Sequence, residues 1–245
     1  MASVRVHADD VALSEPVLVE GLPGVGLVGK LAADHLVEQF EMECYASVHC
    51  EGLPEVAVYG ENSRAVKPPV RIYADADRDL LALTSDVPVS PAVAGEFAAC
   101  VTGWLAEAGV VPIYPSGLPE ETDGVPAMHG VGTGEGGDLL EAADVAPPPG
   151  NGMVSGPTGA LLAAAREADL TAVGLVVQSN PQFPDPEAAR VLLQDGIEPI
   201  ADVAVDTGPL AEQADQIADA REHLARQMQQ ADEESSRARP LGMYQ

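Results

Sequence analysis

The chain has 245 residues, 46% of them hydrophobic, and a mean hydropathy of +0.05. That is enough apolar content to bury one sizeable core and too much for a disordered chain. Asp and Glu total 39 against 12 basic residues, giving a formal net charge of -27. That charge repels itself in dilute buffer and is screened over about 3 Å at molar salt, so the composition predicts a salt-rich cytoplasm and argues against nucleic acid or an anionic membrane as partner.

Met1 to Asp10 is polar and lacks the apolar core of a signal peptide, and the longest apolar runs are far short of a membrane span. A cytoplasmic protein is expected. Val17-Leu18-Val19 reads as a short buried strand, and the turn Gly21-Leu22-Pro23-Gly24 opens a helix from about Gly26 to Phe40. Strand-like runs follow at 44–50, 56–59, 70–73 and 80–84, three of them forming an antiparallel meander. Cys44, Cys50 and Cys100 have no CxxC spacing, so reduced, buried thiols are expected rather than disulfides or a zinc site. A helix over 91–108 carries the lone Trp104 and leads to a strand at 110–114.

From Ser116 to Gly152 glycine and proline dominate, with Gly130-Val131-Gly132-Thr133-Gly134 at the centre, so this stretch reads mostly as loop, with room for a strand near 125–128. Regular structure resumes with the turn Ser155-Gly156-Pro157-Thr158-Gly159, a helix through Ala168, a buried strand at 172–177 and a helix at 186–194. Strands alternating with helices predict an α/β fold, a mixed, largely parallel sheet flanked by helices. Asp206-Thr207 caps a long C-terminal helix that runs to about Arg237. Leu210, Ile217 and Leu224, with Ala214, Arg221 and Met228, place a heptad seam on it that suits packing on the body or self-association. Pro240 and Gly242 end the helix. The expected organisation is a core domain at 1–205, the helix at 206–238 and a docking tail at 239–245.

Gly24-Val25-Gly26-Leu27-Val28-Gly29-Lys30 satisfies both GxGxxG and the first seven positions of a Walker A loop. Leu31 stands where the Mg²⁺-binding hydroxyl belongs, and Gly21-Leu22-Pro23 separate the pattern from its strand. A structural turn is therefore favoured over a nucleotide site, and no cofactor or metal is expected. With Ser155-Gly156-Pro157-Thr158-Gly159 and the segment after Asn180, this turn gathers at the carboxyl edge of the strands, where open α/β sheets place ligands. Gly24, Gly26, Gly29, Ser155, Gly156, Thr158 and Asp185 mark a possible ligand cleft, with Asp185 equally suited to cap its helix. The five histidines, His7, His35, His49, His129 and His223, are scattered, and no catalytic constellation is visible. The ending Met243-Tyr244-Gln245 offers two apolar anchors and a carboxylate to a receptor pocket.

Taken in order, Glu20 to Gly29, the Gly52-Leu53-Pro54 turn, Met153 to Leu162 and Phe183 to Ala189 resemble the archaeal branch of the proteasome assembly chaperone family, second type, over about residues 15 to 200. Gln178-Ser179 departs from the acidic residue and threonine expected in many of its members. The resemblance implies a fold similar to purine nucleoside phosphorylases, homo-oligomerisation, and docking of Met243, Tyr244 and Gln245 between α-subunits of the 20S proteasome. The function expected is that of an ATP-independent, non-enzymatic chaperone or regulator. The alternative is a small-molecule enzyme of nucleosidase, phosphorylase or hydrolase type using the glycine-rich cleft, and an NAD-binding protein ranks last.

Overall fold

The computed structural model describes residues 3–8, 11–60, 64–120, 122, 124–214 and 216–217. Ten strands and six α-helices alternate: β1 (Ser3–Val6), β2 (Val17–Gly21), α1 (Val28–Gln39), β3 (Glu43–His49), β4 (Val58–Tyr59), β5 (Val66–Lys67), β6 (Val70–Asp75), β7 (Leu80–Ser85), α2 (Ala94–Ala108), β8 (Val111–Pro119), β9 (Met128–Thr133), α3 (Gly136–Ala142), α4 (Gly156–Glu167), β10 (Ala172–Ser179), α5 (Pro186–Leu192) and α6 (Glu198–Ala201). Eight strands form one mixed sheet in the order β1-β3-β6-β7-β2-β8-β10-β9, and β4 and β5 form a separate two-stranded ribbon. The four central strands β7, β2, β8 and β10 run parallel. The antiparallel meander β3-β6-β7 flanks them on one side and β9 on the other.

The central strands are largely apolar because helices cover both faces, with polar residues such as Glu20, Thr84, Ser85 and Ser179 buried toward their carboxyl ends. Alternation along β2 sends Val19 to one side, into a core with Val28, Ala32 and Leu36 of α1 and Leu192 of α5. Leu18 faces the other side, against Phe97, Val101 and Leu105 of α2 and Leu161 of α4. The layers are thus α1/α5, sheet, α2/α4. Trp104 is half-buried on the outer part of α2, its ring 6.4 Å from that of Tyr45. All three cysteines are free thiols, but none is fully buried and Cys44 is exposed, because its strand β3 begins at the rim of the sheet.

Three elements, β1, β9 and α3, depart from the sequence expectations. The polar start of the chain contains β1, which pairs with β3 through Ser3-Val4-Arg5-Val6, a two-residue alternation too short to stand out. The glycine-rich stretch read as loop holds edge strand β9 and the short helix α3. Gly130 and Gly132 are there because α3 lies directly on the strand. A Cβ at Gly130 would come within 2.3 Å of the Leu140 side chain, and one at Gly132 within 2.6 Å of the Gly136 backbone. Beyond α6, residues 208–214 are helical. Their start is fastened to the body: Thr207 is buried and accepts a 2.6 Å hydrogen bond from Gln194, and Leu210 joins the α1/α5 core. The heptad positions Arg221, Leu224 and Met228, the helix end near Arg237, and Met243, Tyr244 and Gln245 lie outside the described residues.

Backbone against backbone cannot relax, so Gly132→Ala is expected to cost about 2–3 kcal/mol. Gly137→Ala, with nothing within 4 Å of the added methyl in α3, should instead stabilise by up to about 1 kcal/mol through helix propensity. Thermal melts of both variants in molar KCl check the opposite signs.

Candidate functional site

The site begins where β2 ends. Gly21 lets the strand end meet α1 and β7: a Cβ there would lie 2.5 Å from Ala33 and 2.9 Å from the Leu83 carbonyl. The chain then makes a single 3-10 turn, Val25–Leu27, and two successive left-handed residues, Gly26 at φ 61° and Leu27 at φ 52°, kink it into α1. The kink presses Gly26 against β10, where a Cβ would fall 1.8 Å from the Ser179 hydroxyl. A Cβ at Gly29 would lie 3.0 Å from the Glu20 carbonyl. Gly24 is exposed, with nothing within 4 Å of where its Cβ would be.

The other turns close on this one. The Asp185 N–H donates to the Gly26 carbonyl at 2.8 Å, while its carboxylate accepts from Ala188 N at 3.0 Å as the N-cap of α5 and from Asn180 N at 2.9 Å. Both Asp185 oxygens are therefore engaged in shaping the chain. Ser155 and Gly156, with Gly156 at φ 70°, stand exposed at the start of α4. One turn further in, the Thr158 hydroxyl donates at 3.1 Å to Glu20. The structure thus bonds Gly26 to Asp185 and Thr158 to Glu20, with Gly29 packed on the Glu20 backbone, and leaves Gly24, Ser155 and Gly156 exposed. Lys30 does not face it: the ammonium pairs at 2.8 Å with Asp34, one turn along α1.

Glu20 is the centre that sequence reasoning passed over. It is fully buried, takes the Leu22 N–H at 2.7 Å on one oxygen and Thr158 on the other, and so ties β2, the turn and α4 together. The available signal was an acid inside the otherwise apolar run Val17-Leu18-Val19-Glu20 of a strand covered on both faces. Burial pushes its carboxyl from 4.5 up to about 8, against the opposing pull of those two hydrogen bonds, so at neutral pH it is held largely as the neutral acid. Burial, and then the neighbouring Glu20 carboxyl, also drives the Tyr114 phenol upward. The hydroxyls of Thr84, Thr102, Tyr114 and Ser179 are buried without a hydrogen-bond partner among the described residues. A neutral acid and a neutral phenol can each donate a hydrogen bond.

The histidines are less scattered than the sequence implies. His7, the residue after β1, and His49, the last residue of β3, both reach the buried Ser47 hydroxyl, at 2.8 and 3.0 Å. His35 bonds the Asp206 carbonyl at 2.8 Å, and His129 sits half-buried on β9. Among the described residues no group of three or more His, Cys, Asp or Glu is placed to hold a metal ion, and no helix is long and apolar enough to cross a membrane.

Comparison with known proteins places this architecture. The PAC2 family model matches residues 18–225. A solved structure of Pyrococcus furiosus PbaA, an archaeal homologue of proteasome-assembly chaperone, superposes with a TM-score of 0.78 at 23% identity, covering 96% of each chain. Pyrococcus furiosus PbaB, an archaeal proteasome activator, superposes with a TM-score of 0.73 at 23% identity over 91% of this chain and 98% of its own. At those identities the likeness is one of fold. An uncharacterised protein of Methanocaldococcus jannaschii is 44% identical over 50 residues, 20% of this chain and 19% of its own length, so the chain matches only about a fifth of that relative.

Because the folded protein holds the Glu20 proton more tightly than the unfolded chain, stability contributed by this group falls as pH rises from 4.5 to about 8. Glu20→Gln keeps the shape and abolishes the titration. Wild type is expected to lose on the order of a few kcal/mol relative to the variant across that interval, read as diverging denaturation midpoints in a pH series at constant KCl.

Proposed function

The chain belongs to the PAC2 family, and on that premise we propose that it is an ATP-independent, homo-oligomeric chaperone or regulator of the 20S proteasome in a salt-rich cytoplasm. The observation that carries this reading is the family match over residues 18–225, supported by the shared fold with PbaA and PbaB along almost the whole chain. Met243, Tyr244 and Gln245 supply the docking element, an apolar residue and an aromatic ring that suit a pocket between α-subunits. The substitution of Leu31 for the Walker hydroxyl fits a chaperone that spends no nucleotide. The buried Glu20 assembly serves as the rigid floor on which the turns are built.

Deleting residues 243–245, or Tyr244→Ala, is expected to abolish co-migration with 20S particles on native gels at high salt while the melting temperature of the chain stays unchanged. Full binding by both variants would sink the tail reading. The enzyme alternative makes a different forecast, a large thermal shift of the tail-deleted protein with a nucleoside or inorganic phosphate.

A further inference from the structure

The β4–β5 ribbon stands apart from the eight-stranded sheet. Tyr59 and Val66 are directly opposed across it, 81% and 69% exposed. Opposed residues share a face, so the ribbon shows solvent a contiguous aromatic and aliphatic pair, and two strands alone are marginally stable in water. Its charge is unlike that of the rest of the chain. Residues 58–67 carry Arg64 and Lys67 against one acid, Glu61, in a chain of 39 acids and 12 bases. Arg64 and Lys67 are both exposed.

A complementary surface lies at the other edge of the molecule. Beside α3 a cavity of about 530 Å³ has an apolar floor that includes Leu140, Val145 and Pro147, with the exposed acids Glu141 and Asp144 at its rim. The adjoining cavity shares Asp144 and adds Asp195. The ribbon leaves the sheet between β3 and β6, whereas this groove sits on the edge strand β9, six strand positions from β3. At about 4.8 Å per strand that is roughly 30 Å, so a chain cannot insert its ribbon into its own groove.

We propose that the ribbon of one copy docks in the β9/α3 groove of a second copy, Tyr59 and Val66 entering the apolar floor while Arg64 and Lys67 meet Glu141 and Asp144. Charge decides the geometry. Ribbon against ribbon would bring bases together, and groove against groove acids, so each contact pairs a ribbon with a groove, either reciprocally across a two-fold axis or head-to-tail around a ring. The proposal rests on the homo-oligomer part of the function above, and supplies its surface; it does not depend on the proteasome as client.

Sedimentation of the purified full chain tests it, at the lowest KCl concentration that leaves the far-UV circular dichroism unchanged, and without any 20S particles. Wild type is expected above the mass of one chain, and Tyr59→Asp with Val66→Asp at the mass of one chain with an unchanged melt. Arg64→Glu with Lys67→Glu should weaken assembly at least tenfold, and so should Glu141→Lys with Asp144→Lys. Mixing those two charge-reversed proteins pairs each reversed ribbon with a reversed groove and should restore association. A single-chain wild type, an apolar-ribbon variant that still assembles, or a charge-reversed groove that changes nothing overturns the proposal. Co-migration with 20S particles, scored separately on the same variants, distinguishes failure of this contact from failure of the proteasome reading.

Discussion

A carboxyl group with no exposure to water sets the arrangement of the sheet's working edge. Glu20 spends its two oxygens on Leu22 N and the Thr158 hydroxyl, which fixes the first turn against the start of α4. An unpaired charge there would be very costly, and the protein avoids it by holding the proton. Every neighbouring choice follows from that fixed point. With the β2 end pinned, the chain reaches α1 only through the left-handed pair Gly26 and Leu27, Gly26 comes flush against Ser179, and Asp185 closes the third turn on the Gly26 carbonyl.

That dependence explains what was legible beforehand. The βαβ alternation, the meander and the convergence of the glycine turns follow from periodicity and turn chemistry, which are local. Asp185 as an N-cap is local as well. Glu20 is not: its role depends on a partner 138 residues away, and nothing in the strand itself announces Thr158. The glycine-rich stretch misled for a related reason. Glycine usually signals loop, yet Gly130 and Gly132 are small because α3 rests on β9, a packing demand that appears only once helix and strand are in place. His7 likewise reaches Ser47 from 40 residues away, where it joins His49, two positions along the same strand as Ser47.

The surface obeys a second constraint, the formal charge of -27. A protein so acidic resists self-contact unless apolar area and local positive charge coincide. The β4–β5 ribbon combines the two, and the groove beside α3 offers their counterpart. The well-packed turns at the carboxyl edge supply rigidity.

We propose that this PAC2 protein works on the proteasome core through its last three residues. Cryo-electron microscopy of the full chain bound to 20S particles in molar KCl tests it most directly. The account predicts density for Met243, Tyr244 and Gln245 seated between adjacent α-subunits, with Tyr244 buried. A complex held through the α/β body, with the α-subunit pockets empty, would contradict it.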